Sequence, residues 1–562
     1  MKLRGFSLKY VTLTLACLLA LGMAACGGSD SGSSSGSSTG GKALPEQGDA
    51  TAANDTSGSG GTLRIAMTAG NLPIPDQFLT EGGEGRRFVG QNIYDQMIMY
   101  NAGQGDHVPD LRPGLATSWE VAPDNLTWTF KLRSGVKFTD GTPFNADAVQ
   151  FAFDRILNRE HPFFSEAQRS AGLSNFVEVA SYKKVDDMTF QVVTRRPWAL
   201  LTYDMGAVNI ISPTAVQKWG NKDYISHPVG TGPFMVSKYV DGQVMELVPN
   251  KDYWDTANKP KLDKLVLYPM PDPATRLAAL QSGQVDWAEV VPPDSIKALK
   301  AEGYNVLLKA YPHIITVMLN NTKAPFNDLK VRQALNYGTD REGTVALISG
   351  AGFPATQEMY EGHPWYDPSF AGYKYDPAKA KQLLSEAGFP NGFKMTMAFP
   401  TSGSGNMYPG PMTEKFQQDM KAIGVDVTLV PLEWLNILTI YRAGLQTPEN
   451  QKYDALYFSP NTQTPLFLFG AYLSARIPPA GCCNPMGYNS PEFEKLFNQA
   501  AASFDVTAQN QLLQQAQGVL IRESPGIVWV HDLNLRVLTT KVRGWQQPQS
   551  WWGDFTRVWV KS

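Results

Sequence analysis

Residues 115–147 read LATSWEVAPDNLTWTFKLRSGVKFTDGTPFNAD, and this stretch decides the fold. Large apolar side chains mostly alternate with polar ones along it, which is typical of strands that are buried on one face. Turn residues close the unit at Asp140-Gly141 and Pro143. The stretch therefore predicts a meander of short strands, whose core positions are Trp128, Phe130, Leu132, Val136 and Phe138.

The rest of the body has an α/β pattern. Thr62–Met67 predicts a first strand, and from about residue 270 helical and strand patterns alternate along the chain. Helix starts are marked by an N-capping residue followed by proline, as at Asp376-Pro377 and Ser490-Pro491. Such alternation predicts sheets flanked by helices, with ligand crevices at the ends of the strands.

The stretch 115–147 closely resembles the signature of the bacterial extracellular solute-binding proteins of family 5, the peptide- and nickel-type binding proteins of ABC importers. Further motifs similar to those of the family follow in the same order along nearly the whole body. They are Pro228–Phe234, Asn250–Trp254, Gly283–Asp286, Asn320–Leu335, Tyr375–Pro377 and Gly487-Tyr488. Most of these residues suit turns or a core, so the most diagnostic motif is not predicted to bind ligand.

The resemblance implies an α/β fold of the periplasmic-binding-protein type II class, with two lobes joined by a hinge and an extra domain inserted in the first lobe. The expected bounds are 62–95, 216–315 and 531–562 for lobe I, 96–215 for the inserted domain, and 316–530 for lobe II. Two apolar runs, Ile314–Leu319 and Ile527–Val530, are expected to cross between the lobes.

The N-terminus predicts export and anchoring. Residues 1–25 carry basic residues and then an apolar run too short to span a bilayer, which is the pattern of a signal peptide. They end in a sequence that resembles a bacterial lipobox and predicts lipidation of Cys26; the alternative is an ordinary signal peptide cut after Ala25. Residues 26–61 are poor in apolar side chains and predict a disordered tether. We expect a lipid-anchored protein on the periplasmic or extracytoplasmic face of the cell envelope.

Composition narrows the partners and the chemistry. The 49 basic and 52 acidic residues give a net charge of −3 without a basic run, which argues against nucleic acid as a partner. The six histidines are scattered, and no P-loop, His-Glu-x-x-His or nucleophile-elbow motif occurs. We therefore expect no enzyme activity and no cofactor. The adjacent Cys482 and Cys483 predict a structural loop, with a redox-labile disulfide as the alternative.

Lobe II is expected to supply one wall of the ligand site. The resemblance implies that a tryptophan after a strand walls the pocket, and Trp434 holds that position; simple core packing is the alternative. The strand that carries Tyr457 is expected to lead into the site and to place Tyr457 against the ligand. Where peptide-binding members carry an aspartate for the peptide's amino terminus, residues 460–465 read PNTQTP, without a carboxylate. Asn461 and Gln463 suit a neutral amide, hydroxyl or sugar better.

A loop of lobe I is expected to form the opposite wall. It reads EGGEGRRF over residues 81–88, and its glycines let the backbone approach a ligand. Glu84, Arg86 and Arg87 are the candidates for pairing with charged groups of the ligand. A solvated surface loop is the alternative.

These features predict the solute-binding component of an ABC importer, which captures an oligopeptide or peptide-like ligand between two closing lobes and delivers it to the permease. The expected partners are this small-molecule or short-peptide ligand, the permease subunits and the membrane, and the protein is expected to be a monomer. A nickel-, haem- or sugar-derivative-binding protein of the same fold stays open, as does a ligand-presenting sensor or chaperone. No metal site is expected; the imidazoles that nickel or haem favours would come from His107, His227, His313, His363 and His531.

Overall fold

The structure is a computed structural model that describes residues 55–79, 82–103, 108–370, 372–403 and 405–562. The predicted signal peptide, Cys26 and the tether up to residue 54 lie outside the described residues. The end of the predicted tether, residues 55–61, packs against the C-terminus: the Trp559 indole donates to the Asp55 carbonyl at 2.8 Å, and the Val560 N–H donates to Gly60. These seven residues are therefore part of the folded body.

The strands of the described residues are short, and most are three to eight residues long. In chain order they are β1 Thr62–Met67, β2 Ile98–Tyr100, β3 Leu111–Pro113, β4 Ala116–Val121, β5 Thr127–Leu132, β6 Val179–Asp186, β7 Thr189–Thr194, β8 Phe234–Val240, β9 Val244–Pro249, β10 Lys264–Pro269, β11 Trp287–Glu289, β12 Asn305–Leu307, β13 Ile314–Leu319, β14 Gly352–Pro354, β15 Phe393–Pro400, β16 Val425–Leu432, β17 Ala455–Phe458, β18 Gly526–Asp532, β19 Arg536–Leu538, β20 Val542–Arg543 and β21 Trp559–Val560.

Helices flank the sheets, and a π-helical turn, Arg86–Gly90, follows the first of them. In chain order they are α1 Gly82–Gly85, α2 Gln91–Ile93, α3 Ala146–Leu157, α4 Glu166–Gly172, α5 Leu201–Met205, α6 Pro213–Asp223, α7 Pro273–Gln281, α8 Ile296–Ala301, α9 Leu329–Tyr337, α10 Arg341–Leu347, α11 Pro377–Glu386, α12 Pro409–Ala422, α13 Trp434–Ala443, α14 Pro465–Phe469, α15 Pro491–Ala501 and α16 Val506–Glu523. No helix among the described residues is both long enough and apolar enough to cross a membrane.

A seven-stranded sheet has the order β12-β19-β11-β1-β10-β9-β8. Its central strand β1 runs parallel to both neighbours, β10 and β11, and is buried on both faces, as parallel strands generally are. Trp287 of β11 packs against Trp545 and Phe555, with ring centroids 4.6 and 5.8 Å apart. The C-terminal segment therefore returns to complete the core of this sheet.

A six-stranded sheet has the order β14-β18-β13-β17-β15-β16. The two runs expected to cross between lobes, Ile314–Leu319 and Ile527–Val530, are antiparallel neighbours in this sheet. The segments that connect the two large sheets lie just outside these two runs, at 308–313 and 533–535. These two links run side by side, because the Lys309 N–H donates to the Leu533 carbonyl at 2.7 Å. They form a two-stranded connection of the kind that serves as a hinge.

The signature stretch forms two of the four strands, β4 and β5, of a third sheet, of order β4-β5-β7-β6. Its apolar side chains face a core in which Phe153 of α3 packs edge-on against Phe190 and Phe176, at 5.1 and 5.0 Å. Helix α3 begins where Asn145 caps it by accepting from the Asp147 N–H at 3.0 Å. The alternating pattern thus builds a scaffold, and the motif residues Trp128, Phe130 and Phe138 are buried in it.

The four-stranded sheet is tied to the helices beside the six-stranded sheet. The Ala199 N–H donates to the Ala501 carbonyl at 2.7 Å, and the Arg196 guanidinium donates to the Asn498 side chain at 2.7 Å. Trp198 packs edge-on against Phe497 of α15, with ring centroids 6.3 Å apart. These contacts close one side of a cavity that the two large sheets border on their other sides.

Candidate functional site

A cavity of about 1150 Å³ lies where the three sheets meet. Its walls come from the loop after β1, from the end of β17 with helix α13, and from the segment before α5. Because these segments are far apart in sequence, the complete cavity exists only when all three are in place. Its lining includes Gly82, Arg86, Trp198, Asp204, Trp434, Phe458, Asn461, Arg476 and the Cys482–Cys483 pair.

The wall beside the six-stranded sheet is aromatic. Trp434 opens helix α13, where the Glu433 side chain caps the helix by accepting from the Leu435 N–H at 2.8 Å. The Trp434 ring stacks against Phe458 at 5.8 Å, and Phe458 stacks on Tyr441 at 4.0 Å. A Cβ at Gly82 of the opposite loop would lie 3.8 Å from the Trp434 indole nitrogen. The Trp434 side chain therefore reaches from one wall of the cavity to the other.

Asn461 lines the cavity. It follows the end of β17 at Phe458 and lies in the bend where the chain leaves the sheet. Its side-chain oxygen accepts from the Gln463 N–H at 2.6 Å, which fixes the bend. Its side-chain nitrogen is buried and donates to no described residue. Gln463 does not line the cavity: its side-chain oxygen accepts from Ser550 and from the Trp551 N–H at 3.1 and 3.3 Å. It ties this bend to the C-terminal segment.

Tyr457 faces away from the cavity. Successive strand residues point to opposite faces, so when Phe458 faces the cavity, its neighbour Tyr457 faces the other side of the sheet. There its hydroxyl donates to the Asn406 carbonyl at 2.8 Å, and its ring meets Trp529 at 6.1 Å. Burial raises the pKa of Tyr457 well above its ordinary value. The structure gives this residue a place in the core.

Glu84 and Arg87 also turn away from the cavity, into a buried charge cluster. The Glu84 carboxylate accepts from the Thr68 N–H at 2.6 Å and from the Ala69 N–H at 3.1 Å, at the end of β1. Arg87 pairs with Glu289 at 2.5 Å. A second arginine, Arg536, pairs with the same Glu289 oxygen at 2.8 Å, and the Arg87 guanidinium donates to the Tyr311 hydroxyl at 2.6 Å. The cluster lies beside the two links that join the large sheets.

The cluster shifts the pKa values of its two carboxyl groups in opposite directions. Burial, and then the charge of Glu289, raise the pKa of Glu84 to about 8. Burial acts the same way on Glu289, but Arg536 and Arg87 outweigh it and lower the pKa of Glu289. Near neutral pH, Glu84 therefore holds a proton that it shares with the ionised Glu289.

This arrangement predicts a pH dependence of stability. Glu84 has a pKa of about 8 in the folded chain against an ordinary 4.5, so between these values the folded state holds the extra proton. The free energy of unfolding should therefore fall as pH rises from about 5 to about 8, by at most about 1.4 kcal/mol per pH unit from this group. Glu84→Gln cannot ionise, and urea unfolding at pH 5, 6, 7 and 8 should give it a flatter profile. Parallel profiles for the two proteins would contradict the assignment.

Of the three charged residues predicted in the glycine-rich loop, Arg86 reaches the cavity. Its guanidinium donates to the Ala207 carbonyl at 3.1 Å and lies 5.5 Å from the centre of the Trp552 ring. Burial lowers its pKa to about 10, so it stays charged at neutral pH. Among the described residues no carboxylate lies within ion-pair distance of it.

The structure thus brings Arg86, Trp434 and Asn461 together at the cavity, and their role in ligand binding stays a prediction. Glu84, Arg87, Tyr457 and Gln463 have partners elsewhere. The sequence reasoning did not find Trp198, Asp204 and Arg476, because their place at the cavity depends on contacts between segments almost 300 residues apart. Cys482 and Cys483 form a disulfide that lines the cavity, and this fits the disulfide alternative for the pair.

Most of the candidate histidines lie apart from one another, but His363 and His531 both pack against Tyr360, at 5.5 and 6.1 Å. His313 lines the cavity and accepts from the Trp551 indole, whereas His227 stacks on Trp219 at 3.6 Å and His531 stacks on Phe353 at 4.7 Å. His107 lies outside the described residues. Within the described part of the chain, no three histidine, cysteine or acidic side chains are grouped so that they could hold a metal ion.

A family model described as bacterial extracellular solute-binding proteins, family 5, middle, matches residues 110–474. The chain belongs to this family. The match covers more than half of the sequence and includes the signature stretch and the lobe II wall. The predicted membership is therefore confirmed, and with it the extracytoplasmic solute-binding role that the family shares.

Individual relatives agree. The chain is 32% identical to haem-binding protein A of Haemophilus influenzae over 484 residues, covering 81% of this chain and 85% of the relative. It is 31% identical to the dipeptide-binding protein of Escherichia coli K12 over 483 residues, covering 81% and 86%. Both relatives are solute-binding proteins by name, and neither is named as an enzyme.

Solved structures confirm the predicted α/β fold of the periplasmic-binding-protein type II class. The periplasmic binding protein DppA of Helicobacter pylori, solved with the peptide STSA, is 25% identical, with a TM-score of 0.78 over 90% of this chain and 99% of that one. The dipeptide-binding protein of Pseudoalteromonas sp. SM9913, solved with Met-Leu, is 24% identical, with a TM-score of 0.79 over 89% and 100%.

Proposed function

We propose that this solute-binding protein captures a short peptide or peptide-like ligand in the cavity and delivers it to the permease of an ABC importer. The observation that carries the proposal is the cavity itself: about 1150 Å³, bounded by both lobes, with an aromatic wall at Trp434, the Arg86 guanidinium and the Asp204 carboxyl group. That volume is at the upper end of ordinary small-molecule sites, so a ligand of a few residues fits it. The peptide-bound relatives support the same choice.

The proposed mechanism is closure of two lobes about the two links, which run side by side. Ligand favours the closed form because it touches both walls only there. Contacts that already bridge the walls support this mechanism: Trp434 faces Gly82, and Gln463 accepts from the Trp551 N–H at 3.3 Å. A ligand bound with micromolar Kd has a net binding free energy of about −8 kcal/mol after the cost of closing.

We propose the domain bounds given by the sequence, because the strands of each sheet come from the corresponding segments. Strands of the seven-stranded sheet lie within 62–95, 216–315 and 531–562, those of the six-stranded sheet lie almost wholly within 316–530, and the signature sheet lies within 96–215. The protein has no proposed catalytic role and no proposed cofactor, and it acts as a monomer.

The lipid anchor at Cys26 is part of the proposal. If it is correct, protein extracted from membranes of the producing cells should carry a diacylglyceryl group on an N-terminal cysteine. Cys26→Ala should release it from the membrane, and intact-mass analysis of both proteins checks this. A membrane-extracted protein whose mature chain begins elsewhere, without lipid, would contradict the anchor.

The ligand class is tested by asking what the protein carries. Purified protein is denatured, and the released small molecules are identified by mass spectrometry; thermal shift then compares short peptides, sugar acids, haem and Ni²⁺ as added probes. We expect released peptides and a stabilisation by peptides that exceeds that of the other probes. Saturable stabilisation by haem or Ni²⁺ without any response to peptides would overturn the proposal in favour of the alternative that the haem-binding relative suggests.

A further inference from the structure

Four carboxylates among the described residues line the cavity, and three of them are already engaged. Glu178 pairs with Arg196 at 2.8 Å, and Glu494 accepts from the Ser474 N–H at 2.5 Å. Glu166 is solvent-exposed and lies 3.3 Å from the equally exposed Arg159. The fourth, Asp204, has no ion pair within 4 Å among the described residues.

Asp204 is a buried carboxylate with one free oxygen. Its side chain is 3% exposed, and one oxygen accepts from the Trp198 indole N–H at 2.8 Å. Its other oxygen, Oδ1, is buried and accepts from no described residue. A buried acceptor without a donor destabilises the fold, and more so when the group is charged. A donor brought in by a ligand would remove this destabilisation.

The surroundings of Asp204 leave its charge uncompensated. Arg476 is the cation that acts on Asp204, but it lies outside ion-pair distance of the Asp204 carboxyl group. Its guanidinium donates to the Ser174 carbonyl at 3.3 Å and lies beside Gly470. Burial raises the pKa of Asp204 well above its ordinary value, and Glu178 adds to this, while the Trp198 hydrogen bond and Arg476 act against it. Among the described residues, the Asp204 carboxyl group therefore lacks the charged partner that a buried carboxylate needs.

We propose that Asp204 of the inserted domain receives the ammonium group of the bound ligand. This inference rests on the proposed function and deepens it: the ligands are those with a free primary amine, and the inserted domain takes part in recognition. The Trp198 indole fixes the orientation of the carboxylate, so that Oδ1 is the oxygen left to accept from the ammonium.

The test compares two libraries of peptides of two to five residues, one with free amino termini and one N-acetylated, whose binding is followed by native mass spectrometry. Wild-type protein should bind the free-amine library at least about tenfold more tightly than the acetylated one. Asp204→Asn keeps an oxygen that can accept from Trp198, and it should bring this ratio close to one. Glu166→Gln, at an exposed carboxylate of the same cavity, is the matched control and should keep the wild-type ratio.

The outcomes separate the two claims. If wild-type protein binds neither library, the proposed function fails and this inference fails with it. If peptides bind but acetylation makes no difference in wild-type protein, the inference alone is overturned, and this result does not depend on whether any variant folds. If Asp204→Asn is folded by circular dichroism and still prefers free amines as strongly as wild type, the inference is overturned as well.

Discussion

Trp434→Ala is expected to weaken ligand binding by about ten- to a hundredfold. The indole forms the aromatic wall with Phe458 and faces Gly82 across the cavity, so its removal takes away contact area on the ligand and a bridge between the walls. A loss of about 1.4–2.8 kcal/mol is what the burial of a large aromatic side chain and its stacking typically contribute. Isothermal titration calorimetry with the peptide identified from the purified protein measures it.

Two further variants serve as controls for this experiment. Leu435→Ala alters the next residue of the same helix, which is 44% exposed, and it should leave the affinity unchanged. Trp434→Phe keeps an aromatic ring but loses the indole N–H, and it should fall between wild type and Trp434→Ala. Unchanged affinity in a folded Trp434→Ala protein would remove this residue from the site and favour simple core packing.

Glu289→Ala should lower the free energy of unfolding by about 3–5 kcal/mol. The carboxylate lies within 2.5 Å of Arg87 and 2.8 Å of Arg536, and all three side chains are at most 3% exposed. Without Glu289, two buried guanidinium groups lose the carboxylate that pairs with both of them, and the loss of one partner from a buried ion pair costs about this amount. Denaturant unfolding of both proteins at pH 7 measures the difference.

The matched control is an ion pair on the surface. Lys330 and Glu386 are 3.0 Å apart, with side chains 50% and 39% exposed, so Lys330→Ala should cost less than about 1 kcal/mol. If Glu289→Ala is no more destabilising than this control, the pairing of Glu289 with Arg87 and Arg536 does not stabilise the fold as a buried ion pair should.

Much of the fold can be read from local sequence signals. The capping pairs mark helix starts where the structure has them: Asp376 accepts from the Lys379 N–H at 2.8 Å, and Ser490 accepts from the Phe493 N–H at 3.3 Å. The alternating signature predicts its strands for the same reason, since both signals act within a few residues. Family membership then supplies the order in which these elements combine.

The site is harder to predict because its geometry depends on distant partners. Glu84 and Arg87 look like a ligand loop in the sequence, but Arg87 finds its partner Glu289 202 residues later and turns inward. Tyr457 is predicted to line the cavity, but its neighbour Phe458 faces it instead. A shift of one residue along a strand moves a side chain to the other face of the sheet. Asp204 gives no local signal, since it meets the cavity only through the packing of the inserted domain against lobe II.

Closure of the lobes around a ligand can be followed by small-angle X-ray scattering. Protein stripped of ligand by denaturation and refolding is compared with the same protein saturated with the identified peptide. The peptide-saturated protein should have a smaller radius of gyration than the stripped protein, because the two lobes approach each other about the paired links at 308–313 and 533–535. Saturated binding with identical scattering curves would contradict capture between closing lobes.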